Sequence, residues 1–279
     1  MKSGKNKNTP FLKRKGVKIS LITLVSVFLF LQSGIIYIHQ KGSWRPDYKK
    51  EDISKIITQT SLDDEDFQLL FAQTGLNKTA VKQMLNNSEQ SKILKIQNEF
   101  FADYKVRHDF FAPFTCSDKI DKNIPLAPIE DGDIIISPSS HFSYLKSGHA
   151  AIVVNAKEGR ILNATGYGTK SVVEDITELN CRPAFVVLRL KADQKTRSEI
   201  ALFAAKNLIQ IKYSLTAGIF GRKTISSTHC GHLVWYAFNE FGFNLDSNKG
   251  LFVWPKDIVK SEYLEVIQIF GVDPQIYWY

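Results

Sequence analysis

Three segments in the first half of the chain carry apolar residues at three- and four-residue steps, which is the spacing of one face of an α-helix. The segments are SLDDEDFQLLFAQTG, NKTAVKQMLNN and SEQSKILKIQNEFFADY, residues 61–75, 77–87 and 88–104. Ser61, Asn77 and Ser88 are suitable N-caps, and Gly75 is a typical helix stop. The pattern predicts a helical lead-in over residues 61–128 that packs against the rest of the chain or spaces it.

From residue 129 onward the apolar residues fall into short continuous runs, many of them β-branched, which is typical of buried strands. The predicted strands lie in IEDGDIIISP (129–138), GHAAIVVNAKEGRILNAT (148–165), AFVVLRLK (184–191) and LEVIQIFG (264–271). Helical spacing returns in TRSEIALFAAKNLIQ (196–210), CGHLVWYAFNEFG (230–242) and WPKDIVKS (254–261). These elements predict an α+β fold for residues 129–279, with a small, mostly antiparallel sheet packed by helices.

The run VKISLITLVSVFLFLQSGIIYI, residues 17–38, is apolar apart from Lys18 and is about as long as a bilayer is thick. A cleaved signal peptide is the alternative, but its apolar core is only ~7–15 residues long and a small-residue cleavage site should follow. We therefore predict an uncleaved transmembrane helix, followed by a polar tether over residues 39–60. The basic tail, residues 1–16, predicts a single-pass cell-membrane protein with a cytoplasmic N-terminus and an extracytoplasmic remainder.

The composition is that of a folded globular protein, with 44% hydrophobic and 23% charged residues among 279. The net charge of +8 comes from the N-terminal tail, and the remainder is close to neutral. A nucleic-acid surface needs basic residues across the folded domain, so we predict no nucleic-acid partner. Three cysteines are present, Cys116, Cys181 and Cys230, and whether the first two pair remains open.

Cys230 follows TISSTH, which is a poor helix former, and precedes apolar residues at helical spacing. The pattern places it in the first turn of a helix. A thiol reacts as thiolate, and both a helix N-terminus and a nearby imidazole lower its pKa from ~8.5. The free N–H groups of that turn can also bind an oxyanion. The competing interpretation is a buried cysteine that only packs.

His149 opens a predicted strand directly after Gly148, where it can face a helix packed on the sheet. The hairpin 149–165 brings Asn163 back beside it, and the correct register puts both side chains on one face. An amide can orient the imidazole by accepting its other N–H. His229 is expected to point away from Cys230, and both His149 and Asn163 also have purely structural interpretations.

A zinc site is a second possible use of the cysteine. His229, Cys230 and His232 lie close together in sequence, and His141 could add a fourth ligand. An H-C-x-H group alone is a weak zinc motif, because structural zinc takes four ligands at recognisable spacing. We therefore predict no metal site.

The segments GDIIISP, GHAAIVV, RILNATGYGT, IKYSLT and HCGHLVWYAF resemble the YiiX/YebB-like hydrolases. These belong to the circularly permuted, papain-like branch of the NlpC-type cysteine hydrolase superfamily. The resemblance covers residues 129–274, and the upstream segment DDEDFQLLFAQTGL widens it to about 62–274. It implies a permuted papain-like (NlpC-type) fold in which the histidine precedes the cysteine, here preceded by the transmembrane helix and the helical lead-in.

Carried over residue by residue, the resemblance implies that Cys230 is the nucleophile and His149 the base, with Tyr213 lining the substrate site. Asn163 stands where many members have a glutamate, which puts full activity in doubt. The implied reaction is cleavage of an amide, including cell-wall peptide, or of an acyl ester through a thioacyl-enzyme, without a cofactor. The alternative is a weak or inactive member that acts as a surface-anchored binding module.

Overall fold

Short apolar runs rich in Ile and Val form a central six-stranded antiparallel sheet. The computed structural model describes residues 18, 20–30, 33, 43–107, 115–142, 145–219 and 225–278. The strands in this part of the chain are β1 (Val106–Arg107), β2 (Thr115–Ser117), β3 (Lys119–Ile120), β4 (Ile134–Ser137), β5 (Ser140–Phe142), β6 (Leu145–Lys146), β7 (His149–Asn155), β8 (Arg160–Asn163), β9 (Val172–Asp175), β10 (Phe185–Leu190), β11 (Lys212–Tyr213), β12 (Ser227–Thr228) and β13 (Leu264–Phe270). The central sheet has the order β13-β10-β4-β7-β8-β9, and the remaining strands form short pairs or triplets.

The helices are α1 (Asp64–Thr74), α2 (Lys78–Asn86), α3 (Gln90–Phe100), α4 (Thr177–Asn180), α5 (Gln194–Asn207), α6 (Cys230–Asn239) and α7 (Pro255–Val259), with a 3-10 turn at Ile56–Thr58. The side chains of Asn77 and Asp193 cap the first turns of α2 and α5. Asp63 and Asp66 form a capping box at the start of α1, so the cap lies two residues after the predicted Ser61. Helices α5 and α6 both pack against β7, which lies near the middle of the sheet.

The helices of the predicted lead-in belong to the same compact unit as the sheet, residues 42–279. The end of α1 is tied to β13, because the backbone N–H of Ile269 donates to the carbonyl of Gly75 at 2.8 Å. Gly75 has a φ of +71°, and a Cβ there would lie 2.3 Å from the carbonyl oxygen of Ile269. Glycine is therefore required both by the left-handed backbone and by the close approach of the strand.

The prediction of a transmembrane helix over residues 17–38 is wrong for the part of the chain that the structure describes. Residues 20–30 are helical, but no described helix has both the length and the hydropathy needed to cross a bilayer, which takes ~20 apolar residues. The run is apolar enough in composition, whereas a span also needs one continuous helix of that length. The single-pass localisation and the membrane contact inferred from this run are therefore withdrawn. Residues 1–17, 19, 31–32 and 34–42 lie outside the described residues, and the predicted basic tail lies among them.

A buried ion pair joins β10 of the central sheet to the turn before β4. Arg189 of β10 donates through Nε and Nη2 to the two carboxylate oxygens of Asp133, each at 2.8 Å. Both side chains are almost fully buried, and Arg189 also contacts Glu130 at 2.8 Å. A buried charge depends on its partner, because removing one member leaves the other desolvated and uncompensated.

We predict that Asp133→Asn lowers the free energy of unfolding by about 3 kcal/mol, because Arg189 then stays buried with one carboxylate fewer. Urea denaturation of the full chain measures the change. The control is Asp64→Ala, which breaks the exposed Lys78–Asp64 pair and should leave unfolding nearly unchanged. Equal effects of the two substitutions would show that the buried pair has no special structural role.

Candidate active site

Cys230 is the first residue of α6, as the sequence pattern predicts. The preceding residues are extended, with β12 at Ser227–Thr228 and with His229 at φ −126° and ψ 172° as the N-cap. Cys230 is 8% exposed, so its thiol is nearly removed from water. The first turn of a helix has backbone N–H groups without intrahelical acceptors, and Cys230 lies among them.

Three polar side chains form a row across β7, β8 and β9. Val153 lies opposite Ile161, and Ile161 lies opposite Glu174, so these positions share one face of the sheet. His149 precedes Val153 by four residues and Asn163 follows Ile161 by two residues. Because side chains alternate between the two faces of a strand, His149 and Asn163 project from the same face as Glu174. The row is closed by two hydrogen bonds, His149 Nε2 to Asn163 Oδ1 at 2.5 Å and Asn163 Nδ2 to Glu174 Oε2 at 2.7 Å.

Glu174 determines which nitrogen of His149 carries the proton. A carboxylate only accepts hydrogen bonds, so it selects the Nδ2 group of Asn163. The Oδ1 atom of Asn163 is then the acceptor that faces His149, and His149 must donate through Nε2–H. The lone pair of the neutral imidazole is left on Nδ1, which is the nitrogen that can take up a proton.

Cys230, His149 and Tyr213 line one small cavity of about 20 Å³. This volume holds about one water molecule. The C-terminal segment covers the start of β7. Gly148 directly precedes this strand, and a Cβ on Gly148 would lie 2.5 Å from Trp278 Cη2. The structure therefore brings three of the predicted site residues together in a closed conformation, and Asn163 supports His149 from the neighbouring strand.

Burial, more than any neighbouring charge, sets the ionisation of Cys230 and His149. It raises the pKa of the Cys230 thiol, although the N–H groups of Ala150 and Gly231 and the charge of Arg182 act in the opposite direction. It lowers the pKa of His149 to about 3, helped by Arg182 and opposed by Asn163. The expectation of a lowered thiol pKa is wrong for this conformation, because desolvation outweighs the helix N-terminus. At neutral pH the pair is a thiol and a neutral imidazole.

Arg182 is a buried cation near both groups, and no pattern in the sequence marks it as a site residue. Its Nε donates to the carbonyl of Glu178 at 3.1 Å, and its Nη1 donates to Ser140 Oγ. Its charge acts on both Cys230 and His149. Arg182 therefore favours the thiolate over the thiol and disfavours an imidazolium at His149.

The other histidines are not arranged as the zinc hypothesis requires. His141 pairs with Asp118 at 3.1 Å, and His232 Nδ1 lies 3.2 Å from Thr228 Oγ1. Among the described residues no three His, Cys, Asp or Glu side chains are grouped so that they could hold a metal ion. The sequence predicts that His229 points away from Cys230, whereas in the structure His229 is among the residues that line the cavity with Cys230 and His149.

Cys181 carries a free thiol, and the side chain of Cys116 lies outside the described residues. Cys181 is half-buried, and burial raises the pKa of its thiol. It therefore serves as an internal comparison for Cys230, since burial also raises the pKa of its thiol but it does not line the cavity that contains His149.

Comparison with known proteins gives no relative: no protein-family model, no curated protein and no solved structure matches the chain. Sequence reasoning missed Glu174, because the half-exposed strand β9 was not predicted. The signal that could have revealed it is SVVED, residues 171–175, in which Glu174 follows β-branched residues after a glycine-rich turn.

Two buried neutral histidines predict a loss of stability in acid. Burial lowers the pKa of His149 and of His229 to about 3, whereas an unfolded histidine titrates near ~6.5. Between these values the unfolded chain binds more protons, so the free energy of unfolding falls as the pH falls, by about 1.4 kcal/mol per pH unit for each histidine.

The variant His149→Gln/His229→Asn should therefore lose less stability between pH 6 and pH 5 than the wild-type protein. Urea unfolding at the two pH values gives the comparison, and the difference between the proteins should be about 2 kcal/mol. An identical pH dependence would mean that the two imidazoles are not held neutral.

Proposed function

We propose that the protein is a cysteine hydrolase that cleaves amide or acyl-ester bonds through a thioacyl-enzyme intermediate. The observation that carries the proposal is the single cavity shared by Cys230 and His149, with His149 held by Asn163 and Glu174. The resemblance of residues 129–274 to the YiiX/YebB-like hydrolases supports the same assignment, with the histidine before the cysteine in the chain.

In the proposed reaction His149 acts as a general base. Its Nδ1 atom takes the Cys230 proton while Sγ attacks the substrate carbonyl, and the C=O electron pair moves to oxygen. When the tetrahedral intermediate collapses, the imidazolium gives the proton to the leaving amine or alkoxide. Water then attacks the thioester with His149 again as base, which releases the acid and regenerates the thiol. Since the resting pair is neutral, proton transfer accompanies the attack and does not precede it.

Asn163 and Glu174 together take the place of the single carboxylate that many family members have. Asn163 accepts a hydrogen bond from His149 and donates one to Glu174. The negative charge of Glu174 is therefore one strand further from His149 and acts on it through the polarised amide of Asn163. In this proposal Glu174 is a positioning residue, because it acts on His149 through Asn163.

Tyr213 is assigned to substrate binding. It is half-buried and lines the cavity, and burial together with the nearby Cys230 raises the pKa of its hydroxyl. Strand β11 pairs in parallel with β12, with Tyr213 opposite Thr228. The phenol is therefore fixed relative to the chain that leads into Cys230, and as a neutral donor it can hydrogen-bond to a substrate carbonyl or leaving group.

A binding module without catalysis is the second candidate. The small cavity of about 20 Å³ and the raised pKa of the Cys230 thiol favour it, because a cavity of this size does not accommodate a substrate. The two candidates differ in one measurable property, which is turnover that depends on Cys230.

We predict that Cys230→Ser abolishes hydrolysis by the full chain of p-nitrophenyl acetate, thioesters or peptide amides, because a serine hydroxyl is a poor nucleophile beside this histidine. His149→Ala should lower kcat by about 10²- to 10⁴-fold, as expected for loss of a general base. The control, Cys181→Ser, removes the other described thiol and should leave the rate unchanged. Undiminished turnover in Cys230→Ser would eliminate the proposal, and a wild-type protein inert to all three substrate classes would favour the binding module.

We predict that Glu174→Ala lowers kcat/KM by about 10- to 100-fold, by analogy with metal-bound histidines, whose activity falls in that range when the outer partner is removed. The physical reason is that Asn163 can then rotate and present its N–H group to His149. Glu174→Gln should retain more activity, since its amide oxygen can accept the same hydrogen bond. The matched control is Asp175→Ala, which removes an exposed carboxylate bonded to Thr177 on the same strand. Similar losses in Glu174→Ala and Asp175→Ala would remove Glu174 from the positioning role.

A further inference from the structure

His229 caps helix α6, and this role fixes its tautomer. Its Nδ1 atom accepts the backbone N–H of His232 at 3.3 Å. Ser, Thr, Asp and Asn are the usual N-caps, and each supplies an oxygen acceptor at this position. A histidine cap accepts through Nδ1 only when it is neutral, so the hydrogen of the ring is on Nε2. Burial lowers the pKa of His229 to about 3, which agrees with a neutral ring.

The Nε2–H group of His229 is a buried donor that has no hydrogen-bond partner among the described residues. The residue is 4% exposed and lines the cavity that contains Cys230 and His149. Buried polar groups are nearly always hydrogen-bonded, and an exception calls for a ligand, an ordered water or a functional reason. A capping role alone needs only Nδ1 and gives no reason for the outer nitrogen.

We propose that His229 Nε2–H donates to the carbonyl oxygen of the substrate as Cys230 attacks it, and that His229 is thereby a catalytic residue. This inference rests on the proposed hydrolase function. As the S–C bond forms, the carbonyl electron pair moves to oxygen, and the resulting oxyanion accepts from Nε2–H and from the free backbone N–H groups in the first turn of α6. The donors release the oxygen when the carbonyl re-forms and the leaving group departs.

Two requirements explain why a histidine occupies position 229. The N-cap must supply an acceptor for the helix, and the oxyanion requires a donor that reaches further into the cavity. A neutral imidazole has one nitrogen of each kind on opposite sides of a rigid ring. His229 directly precedes Cys230 in the chain, and both residues line the same cavity.

Two substitutions separate the two roles. Asn at position 229 keeps the cap, because its oxygen takes the place of Nδ1, but its side chain ends before the position of Nε2. Gln at position 229 reaches the position of Nε2 with an N–H group but is a poor cap. The experiment uses the full chain with two probes of Cys230: acylation by p-nitrophenyl acetate, which forms an oxyanion, and alkylation by iodoacetamide, which does not.

We expect His229→Asn to lower the acylation rate by about 10²- to 10³-fold, the loss found when one oxyanion donor is removed, and to leave the alkylation rate within about 2-fold. His229→Gln should acylate faster than His229→Asn although it unfolds at a lower urea concentration. Acylation of His229→Asn within about 2-fold of wild type would overturn the inference. A parallel fall in both rates would also overturn it, since His229 would then act on the thiol. Wild-type protein that alkylates but never acylates at Cys230 would instead refute the hydrolase function itself.

Discussion

The hydrogen-bond register of β7, β8 and β9 is the constraint on which the candidate site depends. It places His149, Asn163 and Glu174 on one face of the sheet, in contact through two hydrogen bonds. A slip of one residue in either strand pairing would turn one of these three side chains to the opposite face of the sheet and break the hydrogen bonds that join them. The three strands thus determine that the ring proton of neutral His149 is on Nε2. The lone pair is then on Nδ1, and this nitrogen can act as the base.

Helix α6 supplies the second half of the site, and burial governs its chemistry. The helix begins at Cys230 against β7, so the thiol, the imidazole and the His229 cap are all removed from water. Desolvation favours the neutral form of each group. The site therefore holds a neutral acid and a neutral base in fixed positions, and the charge that appears during the proposed reaction meets donors that are already oriented.

The sequence predicted the parts of the site that have a strong local pattern. The apolar run after His149, the hairpin to Asn163 and the change to helical spacing at Cys230 are local features, and the structure has all three. Glu174 was missed because β9 is short and half-exposed, so its apolar pattern is weak. The role of His229 depends on ring orientation, which spacing along the chain does not specify.

The apolar run at residues 17–38 shows the limit of composition as a guide. Its hydropathy predicted a membrane span, but no described helix has the required length. The direction of the thiol pKa is a similar case, since the helix N-terminus was recognised from the sequence whereas the depth of burial was not. Both properties depend on the extent of an element or on its packing, which residue type alone does not determine.

The central claim is that Cys230, and no other described thiol, forms an acyl-enzyme. The most direct test is to mix the full chain with p-nitrophenyl acetate, quench with acid within the first turnover, and map the acetyl group by peptide mass spectrometry. Cys181, a free and half-buried thiol in the same molecule, is the internal reference. The account predicts an acetyl thioester on the peptide that contains Cys230 and none on the peptide that contains Cys181. An unmodified Cys230, or equal labelling of the two cysteines, would contradict it.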